Sequence, residues 1–122
     1  MSHKLYYDSE INCVILRVEG VVTLERISKL APEVARLCKE YDCQRLLNDM
    51  SETTIDISVV GLFNSPSIME KSKVSRTIKR ALVVPLSFKE KNFLETVTRN
   101  RGHKLAVFVD IEKAKQWLLA EQ

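Results

Sequence analysis

Asp49, Ser51, Ser87 and Asp110 are the polar side chains best placed to do chemistry, because each follows a short apolar run and falls, with Pro85, at the carboxyl end of an expected strand. Ligands of open α/β sheets usually sit at such ends. Two carboxylates there could divide acid and base work between them. Each also has a structural use: Asp110 has the position of a helix N-cap, and Asp49 that of a loop anchor before Met50-Ser51-Glu52. His3 stands near the terminus, where a chain end frays, and His103 follows Gly102 in a turn, so neither has a sequence neighbour that would make it a base or a ligand. The chain has no G-x-G-x-x-G, G-x-x-x-x-G-K, G-x-S-x-G or H-E-x-x-H, and its 3 glycines leave little material for a phosphate cradle. No catalytic residue and no metal ligand is assigned, and no cofactor is expected.

Cys13, Cys38 and Cys43 are odd in number and form no C-x-x-C, which removes a disulfide framework and a four-cysteine zinc site. A reducing cytoplasm fits this usage. Cys13 lies in a strand pattern and Cys38 on an apolar helical stripe, so both are expected to be buried, and Cys43 to be exposed.

The elements that position these residues follow from periodicity. Residues 4–8 and 13–19 alternate as strands, with Asp8-Ser9-Glu10 and Asn12 as a hairpin connection. After the permissive Gly20, Thr23 is placed to cap a helix carrying Leu24, Ile27, Leu30, Ala31, Val34, Leu37, Cys38 and Tyr41 on one stripe, and Pro32 predicts a kink or a break in it. Residues 45–49 read as a buried strand ending at Met50-Ser51-Glu52. Asp56 or Ser58 caps a second helix through Val59, Val60, Leu62 and Phe63, which Ser65-Pro66 ends or restarts. Residues 80–84 are a strand of the kind covered on both faces, stopped by Pro85. Ser87-x-x-Glu90 is a capping-box pattern for a helix closed by Gly102; residues 104–109 form a last strand, and Asp110 opens a helix with Ile111, Ala114, Trp117 and Leu118 on one face. The order β-β-α-β-α-β-α-β-α predicts an α/β fold, a mixed, mostly parallel sheet of about five strands covered by about four helices.

With 122 residues, 45% of them hydrophobic, the chain can bury one core, and residues 1–122 are expected to form a single domain. The 19 basic and 16 acidic residues leave a net charge of +3, too weak to argue for nucleic acid or an anionic membrane. The opening Met1-Ser2-His3-Lys4 has no export signal, and the longest apolar runs fall far short of the roughly 20 residues of a membrane helix. The expectation is a soluble cytoplasmic protein.

Gly20 with Thr23 at the entry to the first helix, Leu46-Leu47-Asn48-Asp49, Arg80-Ala81-Leu82-Val83 and Phe108-x-Asp110-x-Glu112-x-Ala114-x-x-Trp117-Leu118 stand at the joints of this order. In them the chain resembles, over nearly its whole length, the STAS domain in its SpoIIAA-like branch, also described as STAS/SEC14-like. In STAS proteins that antagonise anti-sigma factors, a D-S-S-G motif at the start of the second helix carries a phosphorylatable serine. Counted from the strand end at Asp49-Met50-Ser51, its four positions fall on Asp56-Ile57-Ser58-Val59. The aspartate and the second serine are kept, while Ile57 and Val59 replace the first serine and the glycine, so the resemblance implies a degenerate phospho-switch. A phosphate on Ser58 would still meet free amides at a helix N-terminus, although a plain N-cap accounts for the same residue.

The resemblance, with no catalytic constellation beside it, implies a non-enzymatic regulatory or protein-interaction module whose contact surface includes Asp49, Ser51, Asp56 and Ser58. The alternative, implied by the SEC14-like description, is a carrier or sensor of a small apolar or lipid-like ligand under Phe63, Ile68 and Met69. Residues 71–80 hold Lys71, Lys73, Arg76, Lys79 and Arg80 without an acidic residue, a stretch able to meet an anionic partner, though a solvated face is its commoner use. A homodimer through the open edge of the hairpin is compatible with the pattern.

Overall fold

The computed structural model describes residues 2–120. Its elements follow the expected order: β1 His3–Asp8, β2 Cys13–Val22, α1 Leu24–Glu40, β3 Arg45–Ile55, α2 Val59–Lys71, β4 Lys79–Val83, α3 Lys91–Asn100, β5 Lys104–Phe108 and α4 Ile111–Leu119. They build one five-stranded sheet in the order β1-β2-β3-β4-β5, antiparallel at β1–β2 and parallel elsewhere. Because strand order equals chain order, crossovers of one hand lay α1, α2 and α3 on the same face. That face buries Val14, Leu16, Leu46, Leu82 and Val107 beneath Leu30, Val34, Leu62 and Leu94. The opposite face buries Cys13, Ile15, Leu47, Ala81 and Val83 beneath Ala114 and Leu118 of α4. β4 is thereby covered on both sides, which is why its sequence is an apolar run without alternation.

Three caps form where expected. Thr23 Oγ1 accepts from Arg26 N at 3.2 Å, Ser58 Oγ from Gly61 N at 3.0 Å, and Asp110 Oδ1 from Glu112 N at 2.8 Å. The prolines break neither helix. Pro32 is on the exposed side of α1, where water can take the Ser28 carbonyl that loses its donor, and the helix is one piece. Pro66 is buried within α2, and the carbonyl it leaves without an N–H, that of Leu62, accepts from Ser65 Oγ at 2.8 Å.

Several expected boundaries move. β3 does not end at residues 50–52 but runs on to Ile55, because β2 also continues, through Gly20 at φ 90°, and pairs with it. The register passes from Arg17↔Asp49 to Glu19↔Glu52, a bulge in β3, and Thr53 Oγ1 donates to the Met50 carbonyl at 2.7 Å beside it. The capping box at Ser87 and Glu90 does not form. Phe88 turns back, its N donating to the Pro85 carbonyl at 3.0 Å and its ring entering the core, so α3 starts only at Lys91, with Glu90 as an N-cap that makes no side-chain bond. Cys43, expected at the surface, is fully buried: its N donates to the Cys38 carbonyl at 2.9 Å, and its Sγ lies 3.4 Å from the carbonyl oxygens of Asn12 and Arg45. His3 belongs to β1, paired with Val18, rather than to a frayed end.

Candidate functional site

Asp49 and Ser51 are closed on each other. Asp49 Oδ1 accepts from both the N (3.0 Å) and the Oγ (2.7 Å) of Ser51, and the carboxylate is buried inside β3 rather than presented at a strand end. Asp56 and Ser58 are exposed and lie on the short link into α2, where Asp56 N donates to the Val22 carbonyl at 2.8 Å. Directly after Ser58 come Val59, Val60 and Phe63, 53, 70 and 59% exposed. The first turn of α2 thus shows apolar side chains to solvent beside a polar cap. Its inner side is tight: a Cβ on Gly61 would come within 2.8 Å of Ile57 Cγ2 and 2.9 Å of Leu24 Cδ1.

The basic stretch does not make one solvated face. Lys71 and Lys73 are exposed, but Arg76 pairs with Glu70 at 3.0 Å. Lys79 lies 4.5 Å over the Trp117 ring and donates through Nζ to the carbonyls of Trp117 (2.6 Å) and Ala120 (3.1 Å), a cation at the C-terminus of α4. Arg80 is only 5% exposed. A strand residue that points into the helical layer cannot belong to a surface patch, and Glu70, one position before the run, neutralises part of what remains.

Arg80, His103 and Glu70 form a chain of bonds that sequence reasoning missed. Arg80 Nη2 lies 3.2 Å from His103 Nδ1, and His103 Nε2 lies 2.9 Å from Glu70 Oε2. A guanidinium can only donate, so Nδ1 must accept and the ring proton resides on Nε2, which donates to the carboxylate. Glu70 also takes Arg101 Nη2 on Oε1 at 2.6 Å. The His103 bond, with Arg101 and Arg76, holds Glu70 down to about 2 despite the opposing effect of desolvation. Burial lowers His103 below its ordinary range, against Glu70 and with the help of Arg80 and Arg76, and burial brings Arg80 down to about 10. Burial also pushes the thiols of Cys13 and Cys38 up to about 12 and about 11, so neither is a ready nucleophile.

Between the sheet and α1, α2 and α3 lies a cavity of about 100 Å³. Its wall is mostly apolar, with Leu30, Val34, Leu62 and Met69 among its residues, and it includes Asn48 and Arg80. Asn48 Oδ1 and Arg80 Nε are buried without a hydrogen-bond partner. Of the three residues expected at an apolar ligand, Met69 lines this space, Ile68 is half-buried outside the lining, and Phe63 faces solvent. Among the described residues no group of three or more His, Cys, Asp or Glu is placed to hold a metal ion, and no helix is long and apolar enough to cross a membrane.

No protein-family model and no curated protein sequence matches the chain. A solved structure, that of the anti-sigma factor antagonist SpoIIAA in its unphosphorylated form, superposes with a TM-score of 0.58 over 98% of this chain and 100% of that one, at 10% sequence identity. The fold is therefore that of a SpoIIAA-like STAS domain, an α/β sheet of five strands with four helices.

Proposed function

We propose that this chain is a non-enzymatic regulatory module of the STAS type that acts by binding a protein partner through Asp56, Ser58 and the first turn of α2. The observation that carries the reading is the exposure of Val59, Val60 and Phe63 immediately after the Ser58 cap, on a fold shared with an anti-sigma factor antagonist. Apolar side chains at 53 to 70% exposure are poorly used in isolation and well used under a partner. Ser58 is exposed, and a phosphoryl group on it would sit at the amino end of α2, near the N–H of Gly61. With Ile57 and Val59 at the neighbouring motif positions, the reading is of a degenerate switch, one that binds without depending on phosphorylation. Action in the cytoplasm goes with it, supported by three free, buried cysteines.

The test is affinity capture from the source cells with Val60→Asp, Phe63→Asp and Ser58→Ala variants, each checked for an unchanged circular dichroism spectrum. Loss of the captured partner with both aspartate variants is expected, and little change with Ser58→Ala. Retention by both aspartate variants would remove α2 as the contact surface.

A second reading, carriage or sensing of a small and largely apolar molecule, is favoured by the cavity between the sheet and its helices and by Met69 in its wall.

A further inference from the structure

We propose that the cavity under α1, α2 and α3 binds a small hydroxycarboxylic acid, its carboxylate accepting from Arg80 Nε and its hydroxyl donating to Asn48 Oδ1. This rests on the second reading above and names its ligand class.

Charge gives the first reason. Arg80 carries a guanidinium into the helical layer, and its bonded neighbour is a neutral imidazole rather than a carboxylate. Glu70 is reached only through His103 and is already shared with Arg101 and Arg76. A buried cation without a direct counter-ion is costly, and an anion in the adjoining space removes that cost. Geometry gives the second. Arg80 pairs with Leu46 and Asn48 with Leu82 across β3 and β4, so Arg80 and Asn48 are diagonal neighbours on the same sheet face. With parallel strands about 4.8 Å apart and a rise of about 3.3 Å per residue, diagonal Cα atoms lie roughly 8 Å apart, a span that a carboxylate and a hydroxyl on adjacent carbons can bridge between the two side chains. The two orphan atoms are one donor and one acceptor, matching a ligand that brings one acceptor and one donor.

Volume gives the third reason. About 100 Å³ is several times what one water needs and somewhat less than the roughly 150 Å³ apolar cavity that admits benzene. A ligand of three or four carbons fits among Leu30, Val34, Leu62 and Met69, whereas a two-chain lipid does not.

The experiment titrates the intact protein with 2-hydroxybutanoate, butanoate and butan-1-ol, following amide shifts by NMR and heats by calorimetry. The hydroxy acid is expected to bind at least tenfold more tightly than the alcohol and to shift residues around Asn48, Leu62 and Arg80. Arg80→Met should remove the preference for acid over alcohol, and Asn48→Leu the preference for the hydroxy acid over the plain acid. Should Arg80→Met fail to fold, the three-ligand ranking on the unmodified protein decides alone. Equal binding of acid and alcohol would overturn the anion site and leave the carrier reading standing. Binding of none of the three, with water bridging Arg80 and Asn48, would overturn both.

Discussion

His103 sits between neighbours with opposite demands, a guanidinium that must donate to Nδ1 and a carboxylate that accepts from Nε2. The neutral tautomer satisfies both, and protonation would set an N–H of the ring against an N–H of Arg80. A histidine whose pKa is lower in the folded protein than its ordinary 6.5 adds stability that is fully present above that value and is lost as pH falls below it. Glu70 behaves in the same sense at lower pH. Held at about 2 against an ordinary 4.5, it adds stability that is present above 4.5 and is lost as pH falls toward 2. The urea midpoint of the wild type is therefore expected to fall in two stages on acidification. His103→Gln should flatten the upper stage and Glu70→Gln the lower, whatever each does at neutral pH. A wild-type midpoint that stays level from pH 7.5 to 5.5 would show that the imidazole is not held neutral. None of this was legible in the sequence. Glu70 and His103 are 33 residues apart, Arg80 and His103 are 23 apart, and no periodicity connects them. Arg80 in particular read as one of a run of surface cations, because a charged residue inside a strand gives no sign of which way it points.

The elements were more legible wherever their determinants are local. Thr23, Ser58 and Asp110 act within three residues of themselves, so two caps could be read directly and the third was narrowed to Asp56 or Ser58. What depends on a neighbour elsewhere in the fold was hidden: the length of β3 is set by pairing with β2, and the late start of α3 by Phe88 plugging the core. The unbroken α2 falls in the second group, since Pro66 signals a break unless something replaces its N–H. Ser65 does so, and the claim can be isolated. Ser65→Ala is expected to destabilise the protein by about 1 kcal/mol, the usual net worth of a hydrogen bond reduced a little by the better helix propensity of alanine. In a Pro66→Ala background the same change should have almost no effect, because position 66 then regains an N–H for the Leu62 carbonyl. Urea denaturation of the four proteins measures that coupling, and equal losses in the two backgrounds would show that the hydroxyl does not stand in for the amide.

At the scale of the molecule, the sheet is closed unequally at its two edges. β5 is blocked by α3, whose Glu95 accepts from Val107 N at 2.8 Å and whose Arg99 donates to the Leu105 carbonyl at 2.7 Å. Any strand added to this sheet would therefore meet β1, the other edge. The two faces are unequal as well: three helices cover one, and among the described residues α4 is the helix that covers the other. A terminal helix of nine residues could be a detachable appendage, and its packing argues against that. Ala114 and Leu118 are fully buried on Leu47, Ala81 and Val83, and Lys79 of the sheet ties the last turn through Trp117 and Ala120. Losing α4 would expose the apolar back of the strands that form the main core on their other side, so the helix and the sheet should unfold together. Trp117, the single tryptophan, reports the docking of α4, and far-UV circular dichroism reports the whole. Both are expected to give one transition at the same urea concentration. Leu118→Ala should move that shared transition down by about 2–5 kcal/mol, the cost of emptying a buried leucine site. If tryptophan emission changed at lower urea than ellipticity, α4 would be a separate unit, and the opposite face of the sheet would be available to a partner whenever it lifts.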